Sequence, residues 1–157
     1  MKTYVADTSV VVKWFNQTNE AEVPQALMLL EHAVGQQILL CTCDLVRYEL
    51  ANALTLGKRL EPTTVREMLE LLDELPVDLI ESTPALFEQA AAFAQHYAIS
   101  VYDALFVAVA IALDGTLVTA NPRHQGRVRD AVVLPLHAYP PHGDVRMAGD
   151  ADGHTRP

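Results

Sequence analysis

Short β-rich apolar runs alternate along the chain with longer stretches in which apolar residues recur at helical spacing, a pattern that predicts strands separated by helices. Lys2–Ala6 predicts a strand ending at Asp7, Thr8 and Ser9, and the apolar run Val10–Phe15 predicts a short helix. A second helix is expected over Ala21–Val34, with Gly35 as its C′ residue. Ile38–Thr42 predicts a buried strand. Asp44 then stands as N-cap for a helix over Leu45–Leu56, ended by Gly57. Thr64 and Glu67 have capping-box spacing, and the helix they open is expected to stop before Pro76. Val77–Ile80 predicts a strand. Thr83 and Pro84 open a helix to Tyr97, and Ser100 and Asp103 open another to Leu113. Thr116–Ala120 and Val132–Leu136 complete the strands. Strands linked through helices need parallel crossovers, so the expected fold is a three-layer α/β sandwich with a mostly parallel sheet of about five strands.

Composition narrows the function classes. The 157 residues fit one domain, here expected over residues 1–139, and 50% apolar with 20% charged excludes a wholly disordered or fibrous chain. From Pro140 the sequence turns to small and polar residues, and residues 140–157 are expected to be a disordered tail. Eleven Lys and Arg against 20 Asp and Glu leave a net charge of −9, which argues against a nucleic-acid binder held by a basic surface. A nuclease whose site is acidic because it holds cations remains open. Cys41 and Cys43 stand two apart in a predicted strand, where a disulfide would be strained, and no zinc spacing occurs. The longest apolar run, Ala104–Leu113, is too short to span a bilayer, and the expectation is a cytoplasmic protein without a membrane role.

The informative residues are charges placed where charge is costly. On a wheel of about 100° per residue, Leu45, Val46, Leu50, Ala53, Leu54 and Leu56 fill one half of their helix, and Glu49 falls inside that arc. Taken alone, a buried salt bridge or an edge position is the simpler account of Glu49. Asp103 is the single charge in the first turn of an otherwise apolar helix, and the Ser100–Asp103 capping box explains it without chemistry. Asp7 and Asn121 each close a strand. Asp7 is a fitting N-cap and Asn121 a turn residue before Pro122. Ligands of open α/β sheets, however, bind beyond the carboxyl ends of the strands. Crowded carboxylates repel one another, a divalent cation relieves that repulsion, and all-oxygen ligands favour Mg²⁺ or Mn²⁺ over zinc.

DTSVVVKWF near the start, YELANAL in the middle, SVYDALFVAVA later and LVTANPRH after that, in this order, resemble the PIN domain, and more narrowly the VapC-type toxins of bacterial toxin–antitoxin pairs. The resemblance runs from about Lys2 to Leu136. It implies a Mg²⁺-dependent endoribonuclease that leaves 5′-phosphate and 3′-hydroxyl ends and is paired with an antitoxin. Asp7, Glu49 and Asp103 match the family's acidic positions, and Ser9 the hydroxyl position near the metal. Asn121 stands where many members carry Asp; its carbonyl oxygen brings no charge, which weakens a second metal site. Thr119, on the same strand end, is either a hydroxyl ligand or donor, or simply a residue with β propensity.

RNA must still be drawn to an acidic chain. Lys13, Arg47, Arg123, Arg127 and Arg129 are the candidates for phosphate contact, the last three in a basic run directly after Asn121. Trp14 and Tyr102 are candidates for base stacking, with core packing the simpler account of both, and the six histidines are expected in packing or on the surface. Apolar residues of Met28–Leu30 and Met68–Leu75 suggest contacts with a second copy or an antitoxin, whose arginine would suit an acidic pocket, with plain core packing as the default account of them. Two other classes compete. A PIN-like domain that binds RNA or protein without cutting is suggested by Asn121. A receiver-like phosphoacceptor would need an early aspartate pair and a late lysine, and no lysine follows Lys58.

Overall fold

The computed structural model describes residues 1–141, and the tail expectation from residue 142 onward lies outside them. Five strands, β1 (Lys2–Ala6), β2 (Ile38–Cys43), β3 (Asp78–Ile80), β4 (Thr116–Thr119) and β5 (Val132–Pro135), form one parallel sheet in the order β3-β2-β1-β4-β5. Six α-helices cover it: α1 (Thr8–Phe15), α2 (Val23–Val34), α3 (Val46–Asn52), α4 (Pro62–Glu74), α5 (Pro84–Tyr97) and α6 (Val101–Ala112). β1 is central, with Val5 opposite Cys41 of β2 on one side and Leu117 of β4 on the other. Tyr4, Val5 and Ala6 have no exposed surface although successive side chains point to opposite faces. Both faces of the sheet are therefore covered, the three-layer arrangement that the hydrophobic pattern predicts. α6 is buried from Ala104 through Ala110, which explains why its sequence is apolar all round. No single helix among the described residues is long and apolar enough to cross a membrane. A Cβ at Gly115 would stand 3.2 Å from the carbonyl oxygen and the Cγ2 of Thr3, so a larger residue there would have to push β1 back by a few tenths of an ångström.

Several local expectations need correction. Thr64 lies inside α4, because Pro62 takes the first helical position, where its missing N–H costs nothing, and Glu61 precedes it without a side-chain cap. Gly35 is not left-handed; Gln36, with φ 56°, makes the turn after α2. The Asp44 carboxylate does not cap α3. It accepts from the Ser82 amide at 3.1 Å and from the Ser82 hydroxyl, tying the end of β2 to the end of β3. The single helix expected over Leu45–Leu56 changes to a π-helical turn at Ala53–Gly57, where the Lys58 amide donates five residues back to Ala53 at 2.9 Å. For Met28–Leu30 and Met68–Leu75 core packing is the main outcome: Leu29 and Leu72 are fully buried, while Met28, Leu30, Met68, Leu69 and Leu75 pack against the core.

Candidate active site

The strand order reverses direction between β1 and β4, so the crevice at their carboxyl ends is the place where this sheet can hold a ligand. Asp7 leaves β1 there and enters α1 as its N-cap, accepting from the Val10 amide at 3.3 Å. Its carboxylate also accepts from the Ser9 hydroxyl at 2.5 Å and from the Thr119 and Gln125 side chains. The expected cap and the expected strand-end carboxylate are thus one residue. Burial pushes its carboxyl above the ordinary aspartate value, against the opposing pull of those four donors. Ser9 accepts in turn from the Ala120 amide at 2.9 Å, and Thr119 from the Asn121 amide at 3.0 Å, so the end of β4 is wired to Asp7 through two hydroxyls.

The other carboxylates come from helix beginnings. Glu49, in the first turn of α3, is half-buried and accepts from the Thr8 hydroxyl at 3.0 Å. Burial raises its carboxyl, the Thr8 bond lowers it, and the charges of Asp7 and Asp103 raise it further. That mutual repulsion shows three distant acidic residues converging. Asp103 lies in the first turn of α6, where its amide donates to the Ser100 hydroxyl at 3.0 Å. Only this half of the capping box accounts for it, because the carboxylate turns to His124, whose Nδ1 is 3.2 Å away.

A cavity of about 130 Å³ joins these groups. Asp7, Glu49 and Asp103 line it with Thr8, Ser9 and Asn121, closed by Phe106, His124 and Gln125. Thr8 and Glu49 continue into an open groove walled by Leu45, Tyr48, Asn52 and Tyr102. Tyr102 is 63% exposed and Tyr48 76%, so the expectation that Tyr102 packs in the core is wrong. Trp14 does pack inward, donating its indole N–H to the Ala26 carbonyl at 2.9 Å.

The basic residues fare differently. Lys13 does not reach the cavity: it is buried at 4% exposure and paired with Glu20 at 2.6 Å, because it lies on the face of α1 turned to the loop before α2. Arg47 forks onto Asp73 of α4. Arg127 donates to the Ala98 carbonyl at 3.4 Å, and Arg123 and Arg129 are exposed outside the cavity wall. The loop after Asn121 instead contributes His124 and Gln125, which the charge pattern did not single out. Their place just beyond a strand end at the reversal point was the usable signal.

As the side chains stand, no group of three or more His, Cys, Asp or Glu among the described residues is arranged to hold a metal ion. Each carboxylate is turned onto a protein donor. The donor set itself is hard oxygen, three carboxylates and the Asn121 amide around one cavity, where burial first and the charges of Asp7 and Asp103 after it raise the Glu49 carboxyl. These residues fit Mg²⁺ or Mn²⁺ in chemistry and in charge.

The sequence model of the PIN domain matches residues 4–130. No curated protein matches the chain by sequence. Among solved structures, the VapBC2 complex from Rickettsia felis bound to a promoter DNA fragment is similar at TM-score 0.66 and 18% identity, covering 85% of this chain and 98% of that one. A toxin–antitoxin complex from Klebsiella pneumoniae gives TM-score 0.61 and 17% identity over 85% and 97%. VapBC-1 from nontypeable Haemophilus influenzae gives TM-score 0.62 and 18% identity over 86% and 98%. At such identities the likeness is one of fold.

Proposed function

This chain belongs to the PIN domain family, and from that premise we propose that it is a divalent-metal-dependent endoribonuclease acting as the toxin of a toxin–antitoxin pair in the cytoplasm. The observation that carries the reading is the convergence of Asp7, Glu49 and Asp103, from three separate segments, on one cavity at the reversal point of the sheet. Asp7, Glu49 and Asp103 would hold Mg²⁺ or Mn²⁺, with the Asn121 carbonyl as a neutral oxygen. Such an ion supplies a Lewis acid for a phosphate oxygen and lowers the pKa of a bound water.

The rest of the work falls to the chain's own groups. Ser9, Thr119 and the Val10 amide keep Asp7 aimed while it is desolvated. Glu49, anchored by Thr8 beside the open groove, orients the attacking water toward the scissile phosphate. Arg123, exposed on the loop that closes the cavity, meets flanking RNA phosphates and guides the strand without touching the reacting group.

The structural neighbours from Rickettsia felis, Klebsiella pneumoniae and Haemophilus influenzae are toxin–antitoxin complexes, which supports a protein antitoxin for this chain too. A basic antitoxin side chain fits the acidic cavity, and the exposed Tyr48, Leu56 and Leu71 offer apolar contact for an antitoxin or for a second copy in a homodimer. A second reading, a PIN-like domain that binds RNA without cutting, draws on the uncharged Asn121.

The deciding experiment incubates RNA with purified chain, with Mg²⁺ or with EDTA, alongside Asp7→Asn and Asp103→Asn variants whose circular dichroism matches the parent. Cleavage by the parent in Mg²⁺ alone, lost in both variants, is the expected result. A folded variant that cuts at the parent's rate overturns the site. A parent that shifts RNA on a gel but never cuts it gives the second reading its place.

A further inference from the structure

Each cavity carboxylate that comes from a helix beginning is preceded by a tyrosine, Tyr48 before Glu49 in α3 and Tyr102 before Asp103 in α6. Successive side chains on a helix point about 100° apart, so where the acid turns into the cavity the ring beside it turns out. Both rings are exposed. Among the described residues, neither side chain has a hydrogen bond, an ion pair or an aromatic neighbour to fix it to the fold.

The two tyrosines share one place. Both line the groove that continues from the acid cavity past Thr8 and Glu49, and both line a second hollow beside it, where Phe87 and Val101 are also exposed. The rings therefore stand at the boundary of the two hollows. The groove measures about 570 Å³, within the roughly 300–1,000 Å³ of clefts that take small organic ligands. Asn52 adds an amide that can both donate and accept. No lysine or arginine lines either hollow, so a ligand lying there meets ring faces and an amide rather than positive charge.

Those are the contacts an unpaired nucleotide uses. Its base offers a flat face to a ring and a hydrogen-bonding edge to an amide, whereas a paired helix keeps both inside. A strand cut in the cavity must also lay its neighbouring nucleotide somewhere, and this groove opens from the cavity through Thr8 and Glu49. Of the apolar residues offered above to a partner protein, Leu56 and Leu71 line neither hollow.

We infer that Tyr48 and Tyr102 form a stacking platform for unpaired RNA bases at the mouth of the acid cavity, holding the strand whose phosphate is cut there. The inference rests on the nuclease reading and gives a substrate-positioning role to two side chains outside the chemistry.

Cleavage of a short unpaired RNA in Mg²⁺ is followed for the full chain and for Tyr48→Ala, Tyr102→Ala, Tyr48→Phe and Tyr102→Phe, with KM and kcat separated. The same tyrosine changes are placed in the Asp7→Asn chain, where binding of the fluorescein-labelled strand in Mg²⁺ is read by anisotropy. Losing one stacked ring should raise KM and the dissociation constant about tenfold and leave kcat within about threefold. Phenylalanine keeps the ring face and should restore both to within about twofold. An abasic strand of the same length should bind parent and alanine variants alike, within about twofold. Both side chains are exposed, so thermal midpoints should match, and if one alanine variant fails to fold the other tyrosine decides alone. Alanine variants at parental KM and affinity, as a groove reserved for a partner protein would give, overturn the platform while a cutting parent keeps the nuclease reading. So does an abasic strand that separates the variants from the parent as strongly as the intact one. A parent that binds the strand through both rings and never cuts it keeps the platform and removes the nuclease reading. A parent that neither binds nor cuts removes both.

Discussion

Replacing Glu20 by Gln tests whether the basic residue of the first motif serves RNA or the fold. Glu20 places one carboxylate oxygen 2.6 Å from Lys13 and the other 2.7 Å from Lys58, whose ammonium also donates to the Thr18 carbonyl. The side chains of Lys13, Glu20 and Lys58 are only 6%, 18% and 13% exposed. The amide keeps the shape but turns one acceptor into a donor, so one ammonium faces an N–H₂ and neither faces a negative charge. Removing one partner of a buried pair costs about 3–5 kcal/mol. Lys58, at the end of the π turn, can swing to water, which sets the expectation at the lower end, about 3 kcal/mol. For a chain of this size that lowers the thermal midpoint by roughly 6–12 °C. Urea unfolding of parent and variant at pH 7 measures it, with unchanged slope as the sign that the unfolded state is comparable. Burial alone would raise the Glu20 carboxyl, but the hydrogen bonds and charges of Lys13 and Lys58 outweigh it and hold it below its ordinary 4.5. A depressed carboxyl contributes stability that is complete above its unfolded value and disappears as pH falls through its folded one. The gap between parent and variant should therefore be full at pH 7 and close below about pH 4. A gap under 1 kcal/mol at neutral pH, or one that persists undiminished in acid, refutes the reasoning. Lys13→Met should likewise lose stability while RNA affinity stays within twofold.

Three further outcomes follow from other parts of the molecule. Asp7→Asn should abolish cleavage yet cost no stability at pH 7, and can gain about 1 kcal/mol, because burial makes the ionised carboxylate unfavourable and the Gln125 amide and Thr119 hydroxyl can reverse to meet the new donor. Denaturant unfolding that shows a loss above 1 kcal/mol contradicts this. Asn121→Asp should tighten Mn²⁺ binding in calorimetry by adding a charge to the cavity wall, and an unchanged affinity means that position 121 does not face the ion. Burial, with the charge of Asp78 behind it, pushes the Cys41 thiol up to about 11, and burial raises Cys43 as well. Neither should react with a thiol reagent at pH 8 until the chain is unfolded; rapid labelling of the native protein refutes that accessibility.

Much of the fold was legible because its determinants are local. Each strand shows its β-rich run, and α5 and α6 carry Thr83 and Ser100 caps that bond as the sequence implies. Glu49 was legible for a different reason, since a charge inside an apolar arc is visible on a helical wheel. What failed was pairing across the fold. Lys13 looks like an exposed cation after a functional motif until Glu20 and Lys58 close around it. Arg47 is claimed by Asp73 of another helix. The run after Asn121 drew attention to its arginines because charge is what a composition reading sees. The residues that reach the carboxylates are the uncharged Gln125 and the imidazole between the arginines. The exposed side of Tyr102 also escaped, because an apolar helix predicts burial everywhere, whereas Val101 and Tyr102 in its first turn are exposed.

The site bears on a tension in the sequence, an acidic chain proposed to act on a polyanion. The cost of gathering Asp7, Glu49 and Asp103 is contained locally, since every one of them has a protein hydrogen-bond partner: Ser9 for the first, Thr8 for the second, and His124 Nδ1 for the third. Hydroxyl donors stabilise a carboxylate without cancelling its charge, in contrast to Glu20, which two ammonium groups neutralise. The fold thus treats Glu20 and the cavity acids differently: it supplies cations to the first, and at the reversal point of the sheet no lysine or arginine lines the cavity. On the proposed function, a cavity built in this way would attract a divalent cation, and that cation would make it hospitable to phosphate.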